Sequence, residues 1–320
     1  MSKTGIDYLK FRAKNTHFEV LEAIRPNFNA GHLLEFGPEY PGRDGWKFRR
    51  HLMLSDIFIA WIDYGGESQR GWLRFDMPGA GCEWVSSWQG MRDLSSVLQQ
   101  PELRRVDVKL DVFDGSVSHE SVLLAHERFE FKRPEGGRNP KLKKVETSCP
   151  QDGRTAYIGA RTSARFIRCY EKGWEMLSKI GLPEQFKKPD LMMDFEDGHG
   201  VTKVADRYRV EVEFKPVDGT VVPWPILTDP DAYFAGAAMF CQQLVNVAPR
   251  RAQAVPSALM PKAVLATSME HCRTAYGGLL RALLELYGDT PEVKARLFDE
   301  LASNKPSDRL IKDGVLTLNV

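Results

Sequence analysis

The sequence predicts an α+β fold: a mainly antiparallel β-sheet core with flanking helices and a helical C-terminal region. Three observations predict it. Residues 6–77 hold short alternating runs separated by turn residues, which is the pattern of meandering strands. Two later stretches alternate charged and apolar side chains with period 2. Beyond Pro225 the texture changes to runs with helical spacing. Residues 1–225 are therefore expected to form the sheet domain and residues 226–320 a helical region packed on it.

In chain order, Ile6–Phe11 is the expected first strand, and Phe18–Ile24 a short helix that ends near Pro26. Gly-Pro and Pro-Gly between residues 37 and 42 predict a loop. Trp46–Leu54, Asp56–Tyr64 and Gly71–Met77 read as three strands in series. Pro78-Gly-Ala-Gly-Cys82 then turns the chain into a helical stretch that runs to about Gln100. No Gly-Lys-Ser/Thr follows, so this is not a Walker loop, and the full dinucleotide fingerprint is missing too.

The central stretch runs from Arg104 to Gly115. Arg105, Asp107, Lys109 and Asp111 share one face, and Val106, Val108, Leu110 and Val112 take the other. Carboxylates this close repel unless a proton, a cation or a metal ion sits between them. Arg207–Lys215 repeats the pattern, with Arg209, Glu211, Glu213 and Lys215 on one face. The plain alternative is cross-strand salt bridging among these acids and cations, which the sequence supplies in equal number.

Between these strands, Ser118–Glu127 is expected to be helical. Its His119 and His126 are two helical turns apart, roughly 10 Å, too far to share one metal ion. Arg128–Glu146 is a basic loop broken by Gly136-Gly137, Pro134 and Pro140. Its Lys132, Arg133, Arg138, Lys141, Lys143 and Lys144 suit contacts to a phosphate backbone. Arg154–Arg161 and Ala164–Glu171 predict a hairpin. On its second strand Phe166, Arg168 and Tyr170 share one face. Helical spacing resumes after Glu171, so Tyr170 falls at a strand-to-helix junction, where sheet-edge sites are commonly built.

Composition bounds the function. The chain has 320 residues, 42% of them hydrophobic, and a formal net charge of +1, so any nucleic-acid binding must come from local clusters. Cys82, Cys149, Cys169, Cys241 and Cys272 are widely spaced and contain no CxxC pair. This predicts reduced thiols in a cytoplasmic protein and argues against a zinc ribbon. No apolar signal core or membrane-length run is present, so no membrane role is expected.

Seven short motifs in this order resemble the replication initiation factor family, the rolling-circle initiators of filamentous phages, plasmids and some conjugative elements. They are the Ile6-Asp-Tyr-Leu9 strand, Pro78-Gly-Ala-Gly-Cys82, Arg105-Val-Asp107 with Asp111, and Tyr157-Ile-Gly159. Arg168-Cys-Tyr170-Glu-Lys172, Tyr208-Arg209-Val-Glu211 and Tyr276-Gly277 complete the set. The resemblance spans about residues 5–290. One departure is Pro78, where the family more often has a small polar residue. The resemblance implies nicking of one DNA strand, dependent on Mg²⁺ or Mn²⁺, with a tyrosine joined to the 5′-phosphate and a free 3′-OH left behind. Carried onto this chain, it implies Tyr170 as nucleophile and Asp107, Asp111, Glu211 and Glu213 as metal ligands.

The residue types suit that chemistry. Carboxylates are natural ligands for hard divalent cations, and such a cation can neutralise and orient the scissile phosphate. A tyrosine ionises near pH 10 in model peptides, so Arg168 beside Tyr170 is expected to lower that value and support a phenoxide nucleophile. Expected partners are origin DNA, with a host helicase and polymerase downstream, in the bacterial cytoplasm. Two alternatives stay open: a relaxase of a mobile element with the same chemistry, and a non-catalytic DNA-binding regulator on the same fold.

Overall fold

The computed structural model describes residues 3–146, 152–195, 198–217, 220–252, 255–256 and 260–302. Cys149 lies outside them. In chain order the elements begin with β1 (Gly5–Ala13), α1 (His17–Ile24), β2 (Leu34–Pro41), β3 (Phe48–Leu54), β4 (Ile57–Tyr64) and β5 (Leu73–Pro78). They continue with α2 (Gly79–Cys82), α3 (Trp88–Val97), β6 (Glu102–Val112), α4 (His119–Glu127), β7 (Leu142–Val145), β8 (Thr155–Ile158) and β9 (Arg165–Tyr170). After these come α5 (Lys172–Ile180), β10 (Met192–Asp194), β11 (Val201–Lys203), β12 (Tyr208–Phe214), α6 (Pro230–Ala235) and α7 (Met239–Val245).

Ten strands form one sheet in the order β2-β3-β4-β5-β1-β6-β12-β9-β8-β7, antiparallel at every pairing described. The α+β class is as the sequence predicts. The two strands with alternating charge, β6 and β12, are neighbours at its centre. Their apolar faces, Val106, Val108 and Leu110 with Val210, Val212 and Phe214, are buried in a single core. That core is closed by residues of α1, α3, α4, α6 and α7, such as Val20, Met91, Val122, Phe234 and Phe240. The charged faces of the same strands are consequently left on the other side of the sheet.

The region between residues 37 and 42, expected as a loop, is an edge strand. A bulge between Phe36 and Glu39 absorbs Gly37 and Pro38, and proline is tolerated where the strand's outer side pairs with nothing. The basic stretch also ends in a strand, β7, at the opposite edge of the sheet. The glycines after Pro78 mark close approach. A Cβ on Gly81 would lie 2.1 Å from the Ile59 carbonyl oxygen, and one on Gly79 would lie 2.7 Å from the Asp7 carboxylate. The buried His119 is hydrogen-bonded to the Tyr208 hydroxyl and the half-buried His126 to the Pro140 carbonyl, the ordinary role for structural histidines.

By compactness the chain divides into Met1–Val255 and Pro256–Val320. The boundary thus falls some thirty residues beyond the expected one at 225/226. Ile226, Leu227, Phe234 and Phe240 complete the sheet's own core, which ties residues 226–245 to it. The second unit contains α8 (Met260–Tyr287) and α9 (Pro291–Leu301), the latter capped by Thr290, which accepts from the Val293 N–H. In α8, Leu283 and Leu284 are half-buried, whereas Leu279, Leu280 and Tyr287 are exposed. No described helix is long and apolar enough to cross a membrane.

Candidate active site

A cleft of about 1200 Å³ opens on the charged side of the sheet. β1, β6, β12, β9 and β8 form its floor, and Lys172, Glu175 and Met176 of α5 line one wall. That wall has its own small apolar cluster, in which Trp174, Leu177 and Val204 pack with Phe195. The strand register sets which side chains meet. Tyr170 lies opposite Arg209, which lies opposite Asp111; Arg168 lies opposite Glu211, which lies opposite Lys109; Glu213 lies opposite Asp107. Tyr170 is the last residue of β9 and stands two residues before α5 starts, at the junction the sequence predicts.

Asp107 and Glu211 are almost wholly buried, at 1% and 2% exposure. Their carboxyl groups approach closely enough to hydrogen-bond to each other. Arg168 Nη2 donates to both, at 3.1 Å to Asp107. Burial is the first cause that drives the Glu211 carboxyl up to about 8, and the charge of Asp107 is the second; Arg168 opposes both. Two strands therefore deliver a carboxyl pair that holds a proton near neutral pH.

The remaining acids are engaged differently. Arg209 grips Asp111 with both arms, at 2.5 and 2.7 Å, and reaches Asp7 at 3.1 Å. Arg105 grips Asp107 the same way, at 2.8 and 2.5 Å, and touches Glu213 at 3.2 Å. Lys215 bonds Glu213 at 2.6 Å, and Lys109 bonds Asp7 at 2.9 Å. Cross-strand salt bridges thus account for all four sequence-predicted carboxylates. Among the described residues, no three carboxylate, imidazole or thiol groups converge as a ready-made metal cage. Asp107 and Glu211 do fit a hard divalent cation, because such an ion replaces a shared proton between two carboxylates. Asp111 and Glu213 are turned to their own cations and do not join that pair.

Around Tyr170 the expectation needs correcting. Burial is the largest influence on its phenol and raises it above the ordinary tyrosine value. The cation that pulls it back is Arg209, its direct register partner, not Arg168. Arg168 is occupied by the carboxyl pair. Lys172 Nζ lies 5.8 Å from the centre of the Tyr170 ring.

Asp7 and Tyr8 are cleft residues not picked out as site residues from the sequence. A register shift between Ile6 and Tyr8 brings Tyr8 opposite Asp107, and the Asp7 carboxylate reaches Lys109 and Arg209 on the cleft side. The Tyr8 hydroxyl donates to Asp76, and its ring stacks under Arg105 at 4.1 Å. The acid-aromatic pair within an apolar alternation was the available signal.

The six cations of the basic stretch are spread out. Lys143 lies opposite Tyr157, which lies opposite Arg168, so it stands on the cleft side of the edge strand. Lys144 lies opposite the buried Ala156, on the other side. Lys132 and Arg133 are half-buried, whereas Arg138 and Lys141 are exposed.

Residues 101–257 match the family model described as Replication initiation factor. No curated protein sequence matches the chain. The fold is similar to the solved structure of a rolling circle replication initiator protein from Geobacillus stearothermophilus, with a TM-score of 0.51 and 19% identity. The match covers 73% of this chain and 83% of that one. Residues 101–257, which carry Asp107, Asp111, Arg168, Tyr170 and Glu211, are thus similar to the replication initiation factor family.

Proposed function

We propose that this protein initiates rolling-circle DNA replication by nicking one strand of origin DNA through Tyr170. One observation carries the reading. Tyr170 opens into the same cleft as the Asp107–Glu211 pair, from the strand next to the one that holds Glu211. The Tyr170 oxygen attacks the scissile phosphorus and loses its proton. The P–O3′ bond breaks, the 3′-oxygen takes up a proton, and the 5′-phosphate remains on tyrosine. The ester keeps the bond energy, so the strand can be resealed.

Burial keeps the phenol neutral until DNA is bound, and Arg209 favours the anion once the proton leaves. Arg168 holds Asp107 and Glu211 together and orients them toward the cleft. Mg²⁺ or Mn²⁺ bound by this pair would supply charge neutralisation at the scissile phosphate. Lys143, on the cleft side of the sheet edge, is placed to meet the strand's backbone. Host helicase and polymerase would act on the opened strand and its 3′-OH.

Incubating the protein with supercoiled origin DNA and Mg²⁺ tests this. The reading requires open circles with protein attached at the 5′ end. One observation favours a second reading, a regulator that binds origin DNA without cutting: Asp107, Asp111, Glu211 and Glu213 are each ion-paired within the protein. Binding with no open circles at any divalent-ion concentration would select it.

A further inference from the structure

A second cavity, of about 450 Å³, lies at the turn end of the β8–β9 hairpin. Its lining includes Arg133, Arg138, Lys141, Ser163 and Arg165. Arg165 is the first residue of β9 and alternates out of phase with Phe166, Arg168 and Tyr170, so it sits on the core side of the strand. The cavity is therefore separate from the Tyr170 cleft.

The groups around it are cationic and uncompensated. Arg165 Nη1 is buried and has no hydrogen-bond partner. Burial pulls this guanidinium down to about 10, and the charge of Arg133 adds to the effect. Cys241 and Glu135 oppose that fall, and Glu135, the one carboxylate that acts on Arg165, has the smallest influence of those felt there. Among the described residues, no carboxylate is ion-paired with any of the four cations. The Ser163 hydroxyl is spent on the Ala160 and Arg165 carbonyls and adds no acid. Gly136 and Gly137 leave open space above the pocket, with nothing within 4 Å of where a Cβ would stand. A buried arginine facing another arginine is costly unless an anion lies between them. The forked guanidinium geometry suits a tetrahedral oxyanion.

We propose that Arg165, Arg133, Arg138 and Lys141 form a binding pocket for a single phosphate group, distinct from the nicking centre. The phosphate comes from a DNA backbone or from a free nucleotide; only the first source rests on the DNA reading above.

The test compares the full chain with Arg165→Gln and Arg138→Gln. Melting temperature is followed in inorganic phosphate against chloride of equal ionic strength, and affinity for a labelled DNA strand is measured in parallel. Phosphate should raise the wild-type melting temperature, and each variant should bind it roughly ten- to hundredfold more weakly. Arg138 is exposed, so its variant keeps the test decisive if Arg165→Gln unfolds. A matching loss of DNA affinity identifies the backbone as the source. Retained DNA affinity with a lost phosphate response identifies a free phosphate or nucleotide. Phosphate acting no differently from chloride, or variants responding like wild type, overturns the proposal. Adduct formation by the wild-type protein reports on the nicking reading independently.

Discussion

Glu211 and Asp107 are diagonal neighbours on adjacent strands and share one guanidinium nitrogen of Arg168. Two buried acids in this position cannot both ionise at low cost, so one holds a proton. Four predictions turn on this arrangement and on the residues beside it.

The first concerns pH. The Glu211 carboxyl is raised to about 8 in the folded state, against an ordinary value near 4.3 in the unfolded chain. The folded protein therefore binds the proton more tightly than the unfolded one. The resulting stabilisation is fully present below about pH 4.3 and is lost as pH rises through 8. In chelator, Glu211→Gln should flatten this fall in melting temperature between pH 5 and 8, roughly the span the two values set. A variant curve parallel to wild type would refute it.

The second concerns Arg168. Replacing it with Met leaves the Asp107–Glu211 pair with one cation fewer in a buried setting. Loss of one partner from a buried ion pair costs about 3–5 kcal/mol. Arg105 still grips Asp107, so the cost for Arg168→Met should lie near the lower end, about 3 kcal/mol by urea denaturation. Adding Glu211→Gln should recover part of it, because the pair then carries less charge.

The third concerns the sheet edge. Lys143 and Lys144 are sequence neighbours on opposite sides of β7. A strand that runs to Tyr170 meets the Lys143 side. Lys143→Ala should reduce the slope of log affinity against log salt by roughly 0.7 to 0.9, one phosphate contact. Lys144→Ala should change it less, and origin preference should survive both. Equal slope changes for the two variants would move the DNA path off the cleft side.

Period-2 alternation made the sheet legible. In β6 and β12 it separated Val106, Val108, Val210 and Val212 from the charged residues, and the register then brought those charged faces together. Tyr170 at the end of β9 was legible for the same reason. Pairings that depend on register were not legible. Alternation places Arg168 beside Tyr170 on one strand, yet antiparallel pairing sets Arg209 directly opposite Tyr170 and gives Arg168 to Glu211. Asp7 was hidden because a bulge breaks the alternation that period counting assumes. The loop expected at residues 37–42 failed because edge strands accept Gly37 and Pro38.

The fourth prediction is metal linkage. If Mg²⁺ or Mn²⁺ displaces the shared proton, either ion should raise the melting temperature more at pH 8 than at pH 6, roughly the two sides of the carboxyl's titration. Asp107→Asn and Glu211→Gln should each abolish the response. A response that survives both substitutions would place the ion elsewhere.

In the proposed reaction Tyr170 becomes joined to DNA. Its most direct test is digestion of the protein–DNA adduct with trypsin, followed by mass spectrometry of the nucleotide-bearing peptide. Cleavage after Arg168 and Lys172 isolates the peptide Cys169-Tyr170-Glu171-Lys172. The 5′-phosphate is expected on this peptide, and no adduct at all from a Tyr170→Phe protein that still binds DNA. A phosphate found on Tyr8, Tyr157 or Tyr208, or an adduct formed by the Phe variant at the wild-type rate, would contradict it.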